Sequence, residues 1–188
     1  MKRFLLILLI LALSCGFAFA FDILSYPPPL SGGNIMVDVG VGLSSYGLFF
    51  DDYGDMSIPP VFLNVEYALP VGVPISVGGF GAFFQNKYEE SISGGWENTF
   101  FAFGGRANWH WGFDPDWLDF YTGIWMGYMV HQAKWYGSNI NARNPPSYSA
   151  LDFGAQVGAH FYFTNTIGLV LESGYPFVLK AGVALKFN

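Results

Sequence analysis

The stretch LDFGAQVGAHFYF, residues 151–163, separates into two chemically distinct sets when every second residue is read. Leu151, Phe153, Ala155, Val157, Ala159, Phe161 and Phe163 form one set; Asp152, Gly154, Gln156, Gly158, His160 and Tyr162 form the other. A period of two marks a strand, whose side chains alternate between faces. In water the polar set would look outward. Yet it carries two glycines, which weaken a strand and suit crowded places. The rest of the chain decides which solvent the apolar set meets.

The 188-residue chain is the length of one domain. It is 52% hydrophobic and 20% aromatic, with only 12% charged residues, against about 25% charged in a typical globular chain. Low charge with abundant aromatics and 24 glycines fits a surface that partly faces lipid. The formal net charge of −6 argues against nucleic acid as a partner.

At the N-terminus, Lys2 and Arg3 precede the apolar run FLLILLILAL (4–13), and Ala18-Phe19-Ala20 has the small-x-small pattern of a processing site. Residues 1–20 therefore read as a cleaved secretory signal peptide, leaving 21–188 as the working domain. The apolar run is too short to span a bilayer as a helix, which takes about 20 residues. Ala12-Leu13-Ser14-Cys15 is a loose lipobox, so lipidation of Cys15 is a competing reading. Cys15 is the only cysteine, and a disulfide framework is excluded.

Eight alternating or apolar segments follow, near 34–43, 58–68, 73–85, 97–111, 117–134, 149–163, 165–173 and 177–187. Their connections alternate in length. Short ones lie at 69–73, 112–116 and 164–165; long ones lie at 44–57, 86–96 and 136–149, with a tight hairpin at Ser173-Gly174-Tyr175-Pro176. Short turns at one end and long loops at the other are the pattern of an outer-membrane barrel. The even strand number places both termini on the short-turn, periplasmic side.

The faces agree. Strand 1 offers Ile35, Val37, Val39, Val41 and Leu43 against Met36, Asp38, Gly40 and Gly42; the last strand offers Phe177, Leu179, Ala181, Val183, Leu185 and Phe187 against Val178, Lys180, Gly182, Ala184 and Lys186. Eight inward-facing rows of Phe, Leu and Trp would overfill a small barrel. Turned outward they meet hydrocarbon, while small and polar residues share the interior. Trp109, Trp111, Trp117, Tyr67, Phe161, Phe163 and Phe187 collect near the short-turn end, as an interfacial girdle would. Two stretches are mixed: 77–84 and 121–129 carry aromatics on both parities, which points to a bulge. The expected fold is all-β, a closed antiparallel eight-stranded transmembrane β-barrel.

With its signal peptide, the runs LDFYTGIWMGYMV (118–130) and LDFGAQVGAHFYFTN (151–165), and the ending VALKFN, the chain resembles the small eight-stranded outer-membrane barrels, the OmpA/OmpX/OmpW-like and opacity-protein group. The last strand is similar to the signal read by the barrel-insertion machinery, although Asn188 follows Phe187. The resemblance covers nearly the whole domain and implies a fold and a cell outer-membrane location, not an activity. Members act as anchors, adhesins, conduits or lipid-modifying enzymes.

Parity assigns Asp38, Asn64, Glu66, Arg106, Asn108, His110, Asp119, Asp152, Gln156, His160, Glu172, Lys180 and Lys186 to the lumen. Such charges must pair or stay hydrated, and an eight-stranded barrel is just wide enough for side chains to fill. A salt-bridged plug is expected, with Lys180 or Lys186 in reach of Asp38; a narrow polar path is the alternative. No catalytic residues, cofactor site or metal site is expected. His131 sits at a depth suited to lipid chemistry but lacks the neighbouring Ser of the lipid A deacylase pattern. Asp51-Asp52-Tyr53-Gly54-Asp55 lacks an EF-hand's ligand order. The glycines at 40, 42, 78, 79 and 81 lie in strands with no helix following, so they do not form phosphate loops.

The long loops carry Tyr46, Phe49, Phe50, Tyr53, Tyr88, Trp96, Tyr136 and Tyr148, and loops on a rigid scaffold commonly carry recognition. The sequence thus predicts a monomeric, non-enzymatic outer-membrane barrel with a filled lumen and a structural or surface-interaction role. Its partners would be outer-membrane lipids, the insertion machinery and a surface ligand of the loops. The alternative is an OmpW-like conduit for small apolar molecules.

Overall fold

The computed structural model describes residues 28–44, 55–91, 94–113, 115–137 and 147–188. The proposed signal peptide, Cys15, residues 45–54 and residues 138–146 lie outside that set. Eight strands run in chain order: β1 (Ile35–Ser44), β2 (Asp55–Ala68), β3 (Ile75–Ser91), β4 (Gly94–Trp111), β5 (Leu118–Gly137), β6 (Tyr148–Tyr162), β7 (Ile167–Gly174) and β8 (Phe177–Phe187). Each pairs antiparallel with the next, and β8 closes on β1. The sequence reading of a closed eight-stranded barrel is correct. Closure leaves no strand edge to satisfy along the seam, which is what a wall in hydrocarbon requires.

The alternation sets the faces. Val39, Leu63, Phe103, Ile124, Phe153, Leu169 and Val183 are exposed, while Asp38, Asn64, Arg106, Tyr121, His160, Glu172 and Lys180 are buried inside. Trp109, Trp117, Tyr67, Phe163 and Phe187 are exposed near the short-turn end.

Three expectations need correction. The bulge expected in strands 3 and 5 is absent from them: β4 and β5 stay in register from Gly94↔Gly137 to Trp111↔Phe120, and β3 with β4 from Ile75↔Trp109 to Glu89↔Gly95. Both parities are aromatic because the inward rings Phe80, Phe84, Trp125 and Met129 on these strands fill the lumen. The register shifts lie instead on β2, between Met56 and Ile58 and between Ile58 and Val61, beside Pro59-Pro60, which offer no backbone N–H to a ladder.

Phe177, assigned to the lipid face, is buried and packs edge-on to Phe84 at 5.9 Å. A register shift between Leu43 and Ser44, where Ser44 meets Phe177, breaks the alternation there. Finally, the connection 86–96 is mostly strand. Lys87 pairs with Glu97 and Tyr88 with Trp96, so β3 and β4 run on past the apolar band. Hydrophobic alternation fades there because both faces are wet.

The rim is uneven. β5 spans 20 residues and β7 only 8, so β3, β4 and β5 stand high while the β7–β8 turn lies low.

Candidate functional site in the lumen

The two glycines of the opening stretch are explained by what faces them. Gly158 is registered against Tyr121 and Gly154 against Trp125. A Cβ on Gly158 would fall 2.4 Å from Tyr121 Cζ, and one on Gly154 would fall 2.7 Å from Trp125 Nε1. The glycines are hollows for two large side chains that β5 sends inward.

Around Tyr121 the lumen carries a continuous hydrogen-bonded network. Nearest the short-turn end, Asp119 accepts from His110 Nδ1 at 2.9 Å and from His160 Nδ1 at 2.9 Å. His160 Nε2 stands 3.2 Å from Asp38 Oδ1, an ion-pair distance without hydrogen-bond alignment, and Asn64 Nδ2 donates to Asp38 Oδ2 at 3.3 Å. One layer further in, Glu66 accepts from Asn108 Nδ2 at 2.7 Å and from Arg106 Nε at 2.9 Å. Ser76 Oγ joins this layer to the first, in contact with both Glu66 Oε2 and His110 Nε2. Arg106 Nη2 reaches Glu172 Oε2 at 2.6 Å, Tyr121 donates to the same oxygen at 2.7 Å, and Lys180 pairs with Glu172 Oε1. Gln156 fits either way round: its nitrogen donates to Asn108 Oδ1 at 2.6 Å, or its oxygen accepts from Arg106 Nε at 3.2 Å. Buried charges this deep are tolerated because they are paired and hydrogen-bonded.

Two assigned residues stand apart. Asp152 is only half-buried and its Oδ1 accepts from Phe153 N at 2.9 Å; it lies on β6 above the top of β7, where the wall is low. Lys186 donates to Pro29 O at 3.0 Å and lies 4.2 Å over the Tyr162 ring. It thereby pins the segment before β1, whose Leu30 packs with Met36 and Ala68 at the short-turn mouth. The expected pairing of Lys180 or Lys186 with Asp38 does not occur. Asp38 is registered with Ala184, and Lys180 with Glu172 across the β7–β8 hairpin; that hairpin register is the sequence signal that would have found the pair.

Ser76 and Tyr121 were not picked out from the sequence, Ser76 because it opens a strand and Tyr121 because its strand is aromatic on both parities. Ser76, His110 and Asp119 are spaced like a hydrolytic triad, with Ser76 Oγ 2.9 Å from His110 Nε2. The direction is wrong for attack. The serine hydroxyl contacts Glu66 as well, and once it donates there, His110 Nε2 donates to Ser76 rather than taking its proton. Ser76 is also fully buried.

Above the polar layers the lumen turns apolar. Phe84 and Phe100 stack at 4.5 Å, with Ala102, Met129 and Phe177 packed against them. His131 stacks on Phe100 at 4.7 Å and pairs with Asn98 at 2.9 Å. A cleft beneath the β7–β8 turn measures about 10 Å³, room for about one water. Among the described residues no group of His, Cys, Asp or Glu is arranged to hold a metal ion.

The fold has known counterparts. It is the fold of the small outer-membrane barrels. Ail, the attachment invasion locus protein of Yersinia pestis, solved with the heparin analogue sucrose octasulfate, superposes with a TM-score of 0.56 at 14% identity, over 83% of this chain and 99% of that one. Neisserial surface protein A gives 0.55 at 14% identity, over 84% and 98%. Neither a protein-family model nor a curated protein sequence matches the chain.

Proposed function

We propose that this chain is a non-enzymatic integral barrel of the cell outer membrane whose lumen is closed by its own side chains, with its role at the long-loop face, as structure or surface contact. The observation that carries the reading is the serial filling of the lumen. Leu30, Met36 and Ala68 occupy the short-turn mouth, the Arg106–Glu172 network the middle, and the Phe84–Phe100 stack the upper part. Export through residues 1–20 and insertion directed by β8 complete the proposal, which includes a monomeric state.

Above the band, the β3–β5 extension carries Lys87, Glu97 and Lys134 on one face and Tyr88, Trp96 and Trp135 on the other. Trp96 and Trp135 meet edge-on at 4.8 Å. Aromatic rows of this kind suit contact surfaces. The heparin analogue bound by Ail is a polyanion, and a chain of net charge −6 favours a different class of partner.

The second reading, a conduit for small apolar molecules, draws on the low wall above β7. Solute flux separates the two. Protein purified from membranes, with heat-modifiable gel mobility as the folding check, is reconstituted in liposomes and assayed for release of small polar and apolar solutes. Sealed vesicles are expected; flux above protein-free vesicles would replace this reading with the conduit.

A further inference from the structure

Pairing between β6 and β7 begins at Gln156↔Gly174. Above it, β6 from Tyr148 to Ala155 has no described strand on that side, because the chain has already turned into β8. The lipid-facing side chains next to this step are unusually bare: Phe153 is 76% exposed and Met126 61%. An unpaired strand edge beside apolar residues at membrane depth is costly unless something covers it.

The cleft opens beneath this step. Its walls are Trp125, Tyr175 and Phe177, and its charged lining is Arg106, Glu172 and Lys180. Two cations against one carboxylate leave the lining positive. Lys180 has three N–H groups to place; Nζ pairs with Glu172 and otherwise lies over aromatic faces, 4.9 Å from the Phe62 ring centre and 5.6 Å from that of Phe177. Trp125 closes the entrance, donating from Nε1 to Tyr175 O at 2.7 Å with the two rings stacked at 6.2 Å.

We propose that this cleft takes the carboxylate head of a single-chain amphiphile entering sideways from the leaflet on the long-loop side. The head exchanges ring faces for charge-assisted bonds to Lys180 and Arg106, and the tail lies along Met126 and Phe153, covering the β6 edge. The narrow entrance selects one chain, and a planar two-oxygen head fits Arg and Lys in less space than a phosphate. Binding parts the Trp125–Tyr175 contact. The site lies in the wall and stands whether or not the lumen conducts.

The test uses tryptophan-¹⁵N-labelled protein extracted folded from membranes in dodecylmaltoside, with the Trp125 indole resonance assigned through Trp125→Phe. Laurate, dodecyl phosphate and dodecyltrimethylammonium are titrated at fixed detergent. Laurate is expected to move the Trp125 signal saturably and the ammonium amphiphile to leave it in place. Lys180→Gln is expected to weaken laurate roughly tenfold, the loss of one charged hydrogen bond. Should that variant fail to fold, Phe153→Ser, outside the network, is expected to weaken laurate as well. A linear, non-saturating shift, or equal shifts from laurate and the ammonium amphiphile, would overturn the site. Tighter binding of dodecyl phosphate than of laurate would overturn the carboxylate assignment.

Discussion

Arg106 on β4 and Glu172 on β7 meet at 2.6 Å inside the lumen, though they stand 66 residues apart in the chain. Arg106 holds Glu66 as well, at 2.9 Å, so one guanidinium ties three strands together across the barrel. Arg106→Met leaves two buried carboxylates short of their cation. Removing one partner of a buried pair costs about 3–5 kcal/mol. Urea unfolding in phospholipid vesicles is expected to show a loss of that size, with much of it recovered in the triple variant Arg106→Met, Glu66→Gln, Glu172→Gln. A loss below about 1 kcal/mol, the range of exposed pairs, would mean that water reaches the lumen.

Gly158 and Tyr121 give a second prediction. The added Cβ of Gly158→Ala would lie 2.4 Å from Tyr121 Cζ, so the ring must shift and loosen its hydrogen bond to Glu172. Overpacking of this kind costs about 1–3 kcal/mol. Gly81→Ala, where an added Cβ meets nothing within 4 Å, is expected to be near neutral by the same measurement. Similar losses in both variants would show that the cost is general to strand glycines and not set by the facing ring.

The same pair shows what the sequence could and could not tell. Alternation in β6, β7 and β2 was legible because each has one apolar and one polar row, so hydrocarbon on one side dictates the pattern. On β5 both rows are aromatic, and the inward ring was recognisable only through the glycine opposite, which needs a strand register that no single segment carries. Phe177 was misassigned for a related reason: the shift at Leu43 and Ser44 lies on its partner strand. Residues 86–91 were read as loop because, beyond the membrane, a strand has no dry face to mark it. Of the site residues, Arg106, Glu172 and Lys180 were visible by parity, whereas their pairing depended on registers fixed only by closure.

Ser76 supplies a third prediction, aimed at the triad-like spacing. If Ser76 is structural, a fluorophosphonate probe leaves the folded protein unlabelled, as intact-mass measurement would show. Ser76→Ala is then expected to cost about 1–3 kcal/mol, the penalty for stranding buried hydrogen-bonding partners, here Glu66 and His110. Stoichiometric labelling of folded protein, lost in Ser76→Ala, would contradict the non-enzymatic reading directly.

The last prediction concerns the facing of the wall. Val183 and Ala184 are neighbours on β8; Val183 is exposed in the hydrocarbon belt and Ala184 is fully buried against Phe62, Tyr162 and Val170. Val183→Arg places a cation in lipid and is expected to block assembly or cost ~2–4 kcal/mol near the midplane. Ala184→Ser adds one small hydroxyl to a lumen that already holds polar neighbours and is expected to cost about 1 kcal/mol, because a buried hydroxyl there must find a partner. The fraction running as the compact, unheated form on a gel reports assembly, and urea midpoints report the energies. The lipid-facing change must be clearly the worse of the two, since hydrocarbon offers an arginine no partner while the lumen offers a hydroxyl several. Equal effects would mean that the apolar rows do not face lipid.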